Sequence, residues 1–242
     1  MRQEYEKYTA EDREVWRLLF ERQMQQIPAV ASAEFIKGLD SVQFQAQQIP
    51  NFTQTDSLLL PLTGWRLHVV EGLIPNKEFF ELLSNRCFPA TTWLRRLDQL
   101  DYLEEPDMFH DVFGHVPMLS NQSLCDFLAA LSRIALQHID NPYAIELIAR
   151  LYWFTIEFGL IQENGRLKIY GAGILSSRGE SEYCLKSPVP QRVPFDIRAM
   201  FHTPYIKEKY QDKYFVIDSY EQLFDSIYAI EEILEEEISA IV

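Results

Sequence analysis

Two histidines stand five residues apart in an otherwise largely apolar run, Glu105-Pro106-Asp107-Met108-Phe109-His110-Asp111-Val112-Phe113-Gly114-His115-Val116-Pro117-Met118-Leu119, and they are two of only five in the chain. One histidine on an apolar face is ordinarily a core side chain with its ring nitrogen satisfied. Two so close together make a shared metal ion the better reading. The interval also constrains the backbone. On a regular α-helix it turns the second ring by about 140° from the first, so both rings reach one ion only where the helix is distorted or ends. Gly114 and Pro117 bracket His115 and supply that freedom. The zinc-protease pattern H-E-x-x-H needs ligands at i and i+4 with Glu beside the first. Here the interval is longer and the neighbour is Asp111, a shorter and poorer base, which argues against that class.

A third ligand must come from elsewhere. The stretch Arg150-Leu151-Tyr152-Trp153-Phe154-Thr155-Ile156-Glu157-Phe158-Gly159-Leu160-Ile161 reads as a buried helix ending near Gly159, with Glu157 its only acid. A carboxylate in such a setting is costly without a cation or strong donors. A salt bridge to an arginine would serve; so would a metal ion shared with both histidines. Two imidazoles and one carboxylate form the facial triad of mononuclear non-haem Fe(II) oxygenases, which leaves coordination positions open.

Three ordered blocks carry a resemblance: Pro106 to Pro117, Tyr152-Trp153-Phe154-Thr155-Ile156-Glu157-Phe158-Gly159-Leu160, and Tyr170-Gly171-Ala172-Gly173-Ile174-Leu175-Ser176-Ser177. Together they resemble the pterin-dependent aromatic amino acid hydroxylases of the bacterial phenylalanine 4-hydroxylase type, over residues 8 to 225 or so. The resemblance implies a mainly α catalytic-domain fold with a few short β-strands, a basket of helices around a mononuclear iron site. It implies Fe(II) held by His110, His115 and Glu157, a tetrahydropterin as reductant and O2 as co-substrate. Phe79 is then expected to stack on the pterin, the backbone of Gly72, Leu73 and Ile74 to bond its edge, and Asp111 and Tyr152 to face it. Arg95 is expected to hold the substrate carboxylate by a bidentate bond. Trp153, Phe158 and Pro106 would wall the aromatic pocket, Gly173 would admit a ligand close to backbone, and Ser176 would support His110. Leu103 stands where animal members carry threonine, which removes one implied hydroxyl contact. Without the resemblance, Phe79-Phe80 reads as core and Arg95-Arg96 as a solvated pair.

The remaining pattern is scaffold. Thr9 and Asp12 signal a helix start, and Phe35 to Phe44 a second helix. Trp65 to Val70 alternates like a strand, with His68 structural or exposed, and Lys77 to Leu83 is helical. Ser120–His138 and Tyr143–Phe158 follow as helices broken at Asn141-Pro142. Asn164-Gly165 is a turn, with a strand or hairpin expected over Lys168–Leu175 and another strand over Tyr214–Asp218. A single last helix is expected to run to about Ile238, its Glu231–Glu237 run a solvated acidic face.

A net charge of −14 argues against nucleic acid or an anionic membrane as partner. Three widely spaced cysteines do not suggest a disulfide framework, so a reducing cytoplasm is the expected compartment. Residues 1–242 are expected to form one catalytic domain, without an N-terminal regulatory domain or C-terminal tetramerisation helix, and to be monomeric. The expected reaction is hydroxylation of L-phenylalanine to L-tyrosine, as in phenylalanine catabolism. The alternatives are a tryptophan or tyrosine hydroxylase of the same family, a zinc hydrolase using the same three ligands, and a non-catalytic metal-binding module.

Overall fold

A computed structural model describes residues 1–101, 105–207 and 209–240; the Leu103 position lies outside the described residues. The helices are α1 (Ala10–Met24), α2 (Ile27–Val30), α3 (Ala33–Val42), α4 (Phe52–Thr63), α5 (Asn76–Ser84), α6 (Gln122–Gln137), α7 (Pro142–Tyr152), α8 (Ala172–Leu175), α9 (Arg178–Lys186), α10 (Ile197–Phe201), α11 (Tyr220–Asp225) and α12 (Ile227–Ser239). Six short strands accompany them: β1 (Arg66–Val69), β2 (Cys87–Ala90), β3 (Leu160–Glu163), β4 (Arg166–Ile169), β5 (Gln191–Pro194) and β6 (Lys213–Ile217). The result is mainly α, as the sequence implies. None of these helices is long and apolar enough to cross a membrane.

Capping chemistry places many of the helix starts. Thr9 and Asp12 form a reciprocal capping box on α1. Asn51, Asn121, Asn141 and Ser219 each accept a backbone N–H at the starts of α4, α6, α7 and α11. Strands β1 and β2 pair in parallel, and the second sheet runs β4-β3-β6-β5. Its β3–β4 hairpin turns on Asn164 and Gly165, at φ 49° and 75°, the left-handed pair that a tight two-residue turn requires.

Four expectations need correction. Tyr143–Phe158 is not one α-helix: α7 ends at Tyr152 and the chain continues through wider i→i+5 turns over Trp153–Glu157. The span Lys168–Leu175 ends its strand at Ile169 and coils into α8, because β3 supplies partners only up to Leu160↔Ile169. The last helix is divided at Ser226. The Glu231–Glu237 run is only partly a solvated face, since Glu235 meets His138 at 3.4 Å, Glu237 meets His202 at 3.1 Å, and Glu236 meets Arg198.

The histidine segment, Phe109–His115, is itself a run of i→i+5 turns. Its back face is anchored by aromatics. Phe109 and Phe113 stack at 4.8 Å and 9°; Trp16 meets Phe109 edge-on at 5.4 Å, and Phe20 and Phe35 meet Phe113 at 5.5 and 5.9 Å. All but Phe20 are essentially inaccessible to solvent. Each such ring contributes roughly 2–3 kcal/mol by burial, so α1 and α3 hold the segment fixed from behind.

A buried acid lies against β6. Glu180 of α9 accepts the Tyr214 hydroxyl at 2.7 Å and the Gln211 backbone N–H at 3.2 Å. Burial pushes its carboxyl up to about 7, against the opposing effect of those bonds. A folded pKa above the unfolded one means that stability is fully present below about pH 4.5 and falls as pH rises through 7. Glu180→Gln, whose oxygen accepts the same bonds, is expected to flatten thermal stability between pH 5 and 8. At pH 8 it should gain up to about 3 kcal/mol. Melting temperature against pH for both proteins is the check; parallel curves would contradict it.

Candidate active site

The i→i+5 hydrogen-bond pattern sets residue i+5 over residue i, which an α-helix does not. Three pairs at the wide turns use that interval. His110 and His115 bring their Nε2 atoms to 3.4 Å. Tyr152 and Glu157 fall at the two ends of the second wide turn. Trp153 and Phe158, joined by a 2.9 Å bond from the Phe158 N–H to the Trp153 carbonyl, stack at 4.8 Å and 29°. Both wide turns point inward to one place. Glu157 Oε1 lies 3.1 Å from His115 Nε2, and Oε2 lies 3.6 Å from His110 Nε2.

These separations test for a single ion. Donors about 2.1 Å from a metal lie about 3.0 Å apart at octahedral right angles and about 3.4 Å apart in a tetrahedron. The two nitrogens stand 3.4 Å apart, and the carboxylate reaches them with different oxygens, Oε1 at 3.1 Å from His115 and Oε2 at 3.6 Å from His110. One ligand atom from each of the three residues lies within 4.8 Å of the others, so two imidazoles and one carboxylate can share one cation.

Protonation suits the donors. The Ser176 hydroxyl donates to the Ala172 carbonyl at 2.9 Å, so it accepts from His110 Nδ1, also at 2.9 Å. That assigns the His110 proton to Nδ1 and leaves the Nε2 lone pair free. Burial pushes the His110 imidazole below its ordinary pKa despite the Glu157 charge nearby. Burial would raise Glu157, but the charge and hydrogen bond of His115, the charge of His110 and the Gly173 N–H hold it down to about 2. His115 packs against the Phe88 ring at 4.8 Å. Gly114 is required where this segment crosses α8: a Cβ there would sit 2.9 Å from the Ala172 carbonyl oxygen, and this close approach brings Ser176 to His110.

Asp111 is anchored by Thr91. Its Oδ2 accepts both the N–H and the hydroxyl of Thr91, each at 2.8 Å, and burial raises its pKa in spite of His110. Phe79 contacts Phe80 and the Tyr152 ring edge-on at 5.4 and 5.5 Å, so the Phe79 and Tyr152 positions adjoin. Burial, then the charges of Glu157 and Asp111, raise the Tyr152 hydroxyl well above its ordinary pKa. The Gly72–Ile74 loop leads into α5 at the surface, with Leu73 79% exposed and open space beside Gly72.

Arg95 is not a solvated residue. Its Nε and Nη2 bond the two oxygens of Asp107 at 2.9 and 2.8 Å, and Asp107 also accepts the N–H groups of Arg95 and His110 at 3.0 and 3.1 Å. Asp107 is fully buried, whereas the neighbouring Arg96 is 75% exposed. One edge of the Arg95 guanidinium is thus committed to Asp107, and Nη1 has no hydrogen-bond partner among the described residues. Sequence reasoning passed over Asp107 and Thr91. The position of Asp107, three residues before His110, is the spacing of a cap that accepts the first turn's N–H. Thr91 carried no such signal. A Cβ on Gly173 would lie 2.8 Å from the Phe158 ring and 3.2 Å from the Glu157 carbonyl oxygen, so this glycine packs directly against the end of the second wide turn. Pro106 sits half-buried beside Asp107.

Comparison with known proteins shows the family. The family described as biopterin-dependent aromatic amino acid hydroxylase matches residues 4–240. A phenylalanine-4-hydroxylase of Ralstonia nicotianae is 46% identical over 226 residues, covering 93% of this chain and 72% of that relative. The crystal structure of Chromobacterium violaceum phenylalanine hydroxylase with bound oxidised Fe(III) superposes with a TM-score of 0.95 at 44% identity, covering 99% of this chain and 86% of that one. The structure of the same enzyme with iron(III) and the oxidised cofactor 7,8-dihydrobiopterin gives 0.92 at 45% identity, covering 98% and 86%. With its three donors converging and its match running almost end to end, the chain belongs to the biopterin-dependent aromatic amino acid hydroxylases.

Proposed function

We propose that this protein is a phenylalanine 4-monooxygenase, converting L-phenylalanine to L-tyrosine in a single catalytic domain. The convergence of His110, His115 and Glu157 beside the Arg95–Asp107 pair supports this reading. Phenylalanine as substrate is supported by the relatives named phenylalanine-4-hydroxylase at 46% and 47% identity.

In this reading His110, His115 and Glu157 hold Fe(II), with neutral imidazoles and an ionised carboxylate as the ligand forms. When bound, the iron and a tetrahydropterin together supply dioxygen activation and the two electrons that the reaction needs. The protein supplies position. Asp107 fixes one edge of Arg95 so that the other presents two parallel donors to the amino acid carboxylate. Trp153, Phe158 and Pro106 enclose the aromatic side chain. Phe79, Tyr152, Asp111 and the backbone of Gly72, Leu73 and Ile74 receive the pterin on the opposite side. Asp111 is held by both donors of Thr91, which fixes the direction of its free oxygen. Ser176 keeps the His110 proton on Nδ1, away from the donor atom.

Iron(II)-loaded protein, incubated with each aromatic amino acid and a tetrahydropterin, is expected to form tyrosine from phenylalanine fastest, with oxygen uptake coupled to pterin oxidation. Faster formation of 5-hydroxytryptophan would transfer the assignment to the tryptophan branch. Turnover of an ester or amide without oxygen would favour the zinc hydrolase instead; zinc is expected to inhibit.

A further inference from the structure

We infer that Gln211 is a positioning residue that sets the rotation of the Trp153 indole, and through it the shape of the aromatic pocket. Gln211 lies between α10 and β6 and is 2% exposed. A primary amide buried so deeply is costly unless its donors and acceptors are met. Its Oε1 accepts the Trp153 Nε1–H at 3.2 Å and the Ile206 N–H at 3.2 Å, and its Nε2 donates to the Ile206 carbonyl at 2.6 Å. The Gln211 backbone N–H in turn donates to Glu180. The amide is therefore held from two directions before it meets the indole.

Trp153 needs such a contact. Its ring stacks on Phe158 at 4.8 Å and on Tyr205 at 4.5 Å and 23°. Stacking fixes the plane of a ring but is met equally by the two settings of the indole that differ by a half-turn about its Cβ–Cγ bond. The bond to Gln211 is the one directional contact of the Trp153 side chain among the described residues. It determines which edge of the indole faces a bound aromatic side chain. The inference rests on the proposed function, in which Trp153 lines that pocket.

The test is a double-mutant cycle on the iron-loaded enzyme. Gln211→Met is expected to raise KM for phenylalanine by about tenfold, the effect of one positioning hydrogen bond, with the pterin KM within about twofold of the parent. In a Trp153→Phe background, which has no indole N–H, the same change is expected to add nothing. Equal effects in both backgrounds would show that Gln211 acts only through the Ile206 segment, and would overturn the inference. Gln211→Glu, held protonated by burial, keeps an oxygen for the indole N–H and a donor for the Ile206 carbonyl, so it is expected to retain a near-parental KM. That variant decides the matter should Gln211→Met melt below the assay temperature; a KM raised about tenfold over the parent in Gln211→Glu would count against the indole contact. Failure of the proposed function is distinguishable, because the parent enzyme would then make no tyrosine.

Discussion

Glu157→Gln is expected to yield a folded protein that has lost iron affinity and hydroxylation by on the order of a hundredfold or more, since even residues that only support a ligand cost 10- to 100-fold. The change is nearly isosteric but removes the charge that two imidazoles at 3.1 and 3.6 Å confront. Its amide can still bond a ring nitrogen, and Phe154, Ile156 and Phe158 stay buried around it, so the far-ultraviolet spectrum and melting temperature should change little. A merely structural ion site would behave differently, with folding failing along with the ligand. Metal content after gel filtration, set beside the melting curve, separates the outcomes. A variant that keeps stoichiometric iron and full turnover would remove Glu157 from the site.

Asp107→Ala is expected to damage stability and substrate affinity together. Asp107 meets four donors: the N–H, Nε and Nη2 of Arg95 and the His110 N–H. Removing it leaves the guanidinium 10% exposed and unpaired by that carboxylate. Breaking a buried pair in this way costs about 3–5 kcal/mol, or roughly 10 °C in melting temperature for a chain of this size. The freed Arg95 also loses its fixed direction, so KM for the amino acid should rise by at least about tenfold. Burial opposes ionisation of Asp107, yet the bond and charge of Arg95 hold its pKa below the ordinary carboxylate value. The stability it contributes is therefore present above the unfolded value near 4 and is lost only as pH falls through the lower folded one. Asp107→Asn, which keeps one acceptor, should fall between parent and alanine variant. Unchanged melting and KM in Asp107→Ala would contradict the assignment.

Much of the site was legible because its chemistry is concentrated in side chains whose types are informative. His110, His115 and Glu157 are polar residues in apolar surroundings, and the five-residue interval announced a distorted helix before any coordinates. What could not be read was the form of that distortion. Gly114 and Pro117 allow either a distortion or a helix end; the backbone takes the first, widening its turns and keeping hydrogen bonding across the whole segment. The second widened stretch, Trp153–Glu157, gave no glycine or proline signal and was read as ordinary helix. Arg95 looked like half of a solvated pair because its partner is twelve residues away, and pairing at that distance depends on tertiary folding. Strand β2 was missed for a similar reason: Cys87-Phe88-Pro89-Ala90 is buried throughout and does not alternate, and its pairing with β1 is parallel. Helix α8 is too short to show a period.

The widened turns also bear on how such centres are searched for. Each amounts to an α-turn with one residue added, so ligands that a conventional helix would place four apart occur here at five. A scan built on the four-residue interval passes over His110 and His115. For anyone grafting this centre onto another scaffold, the extra residue is part of the ligand set.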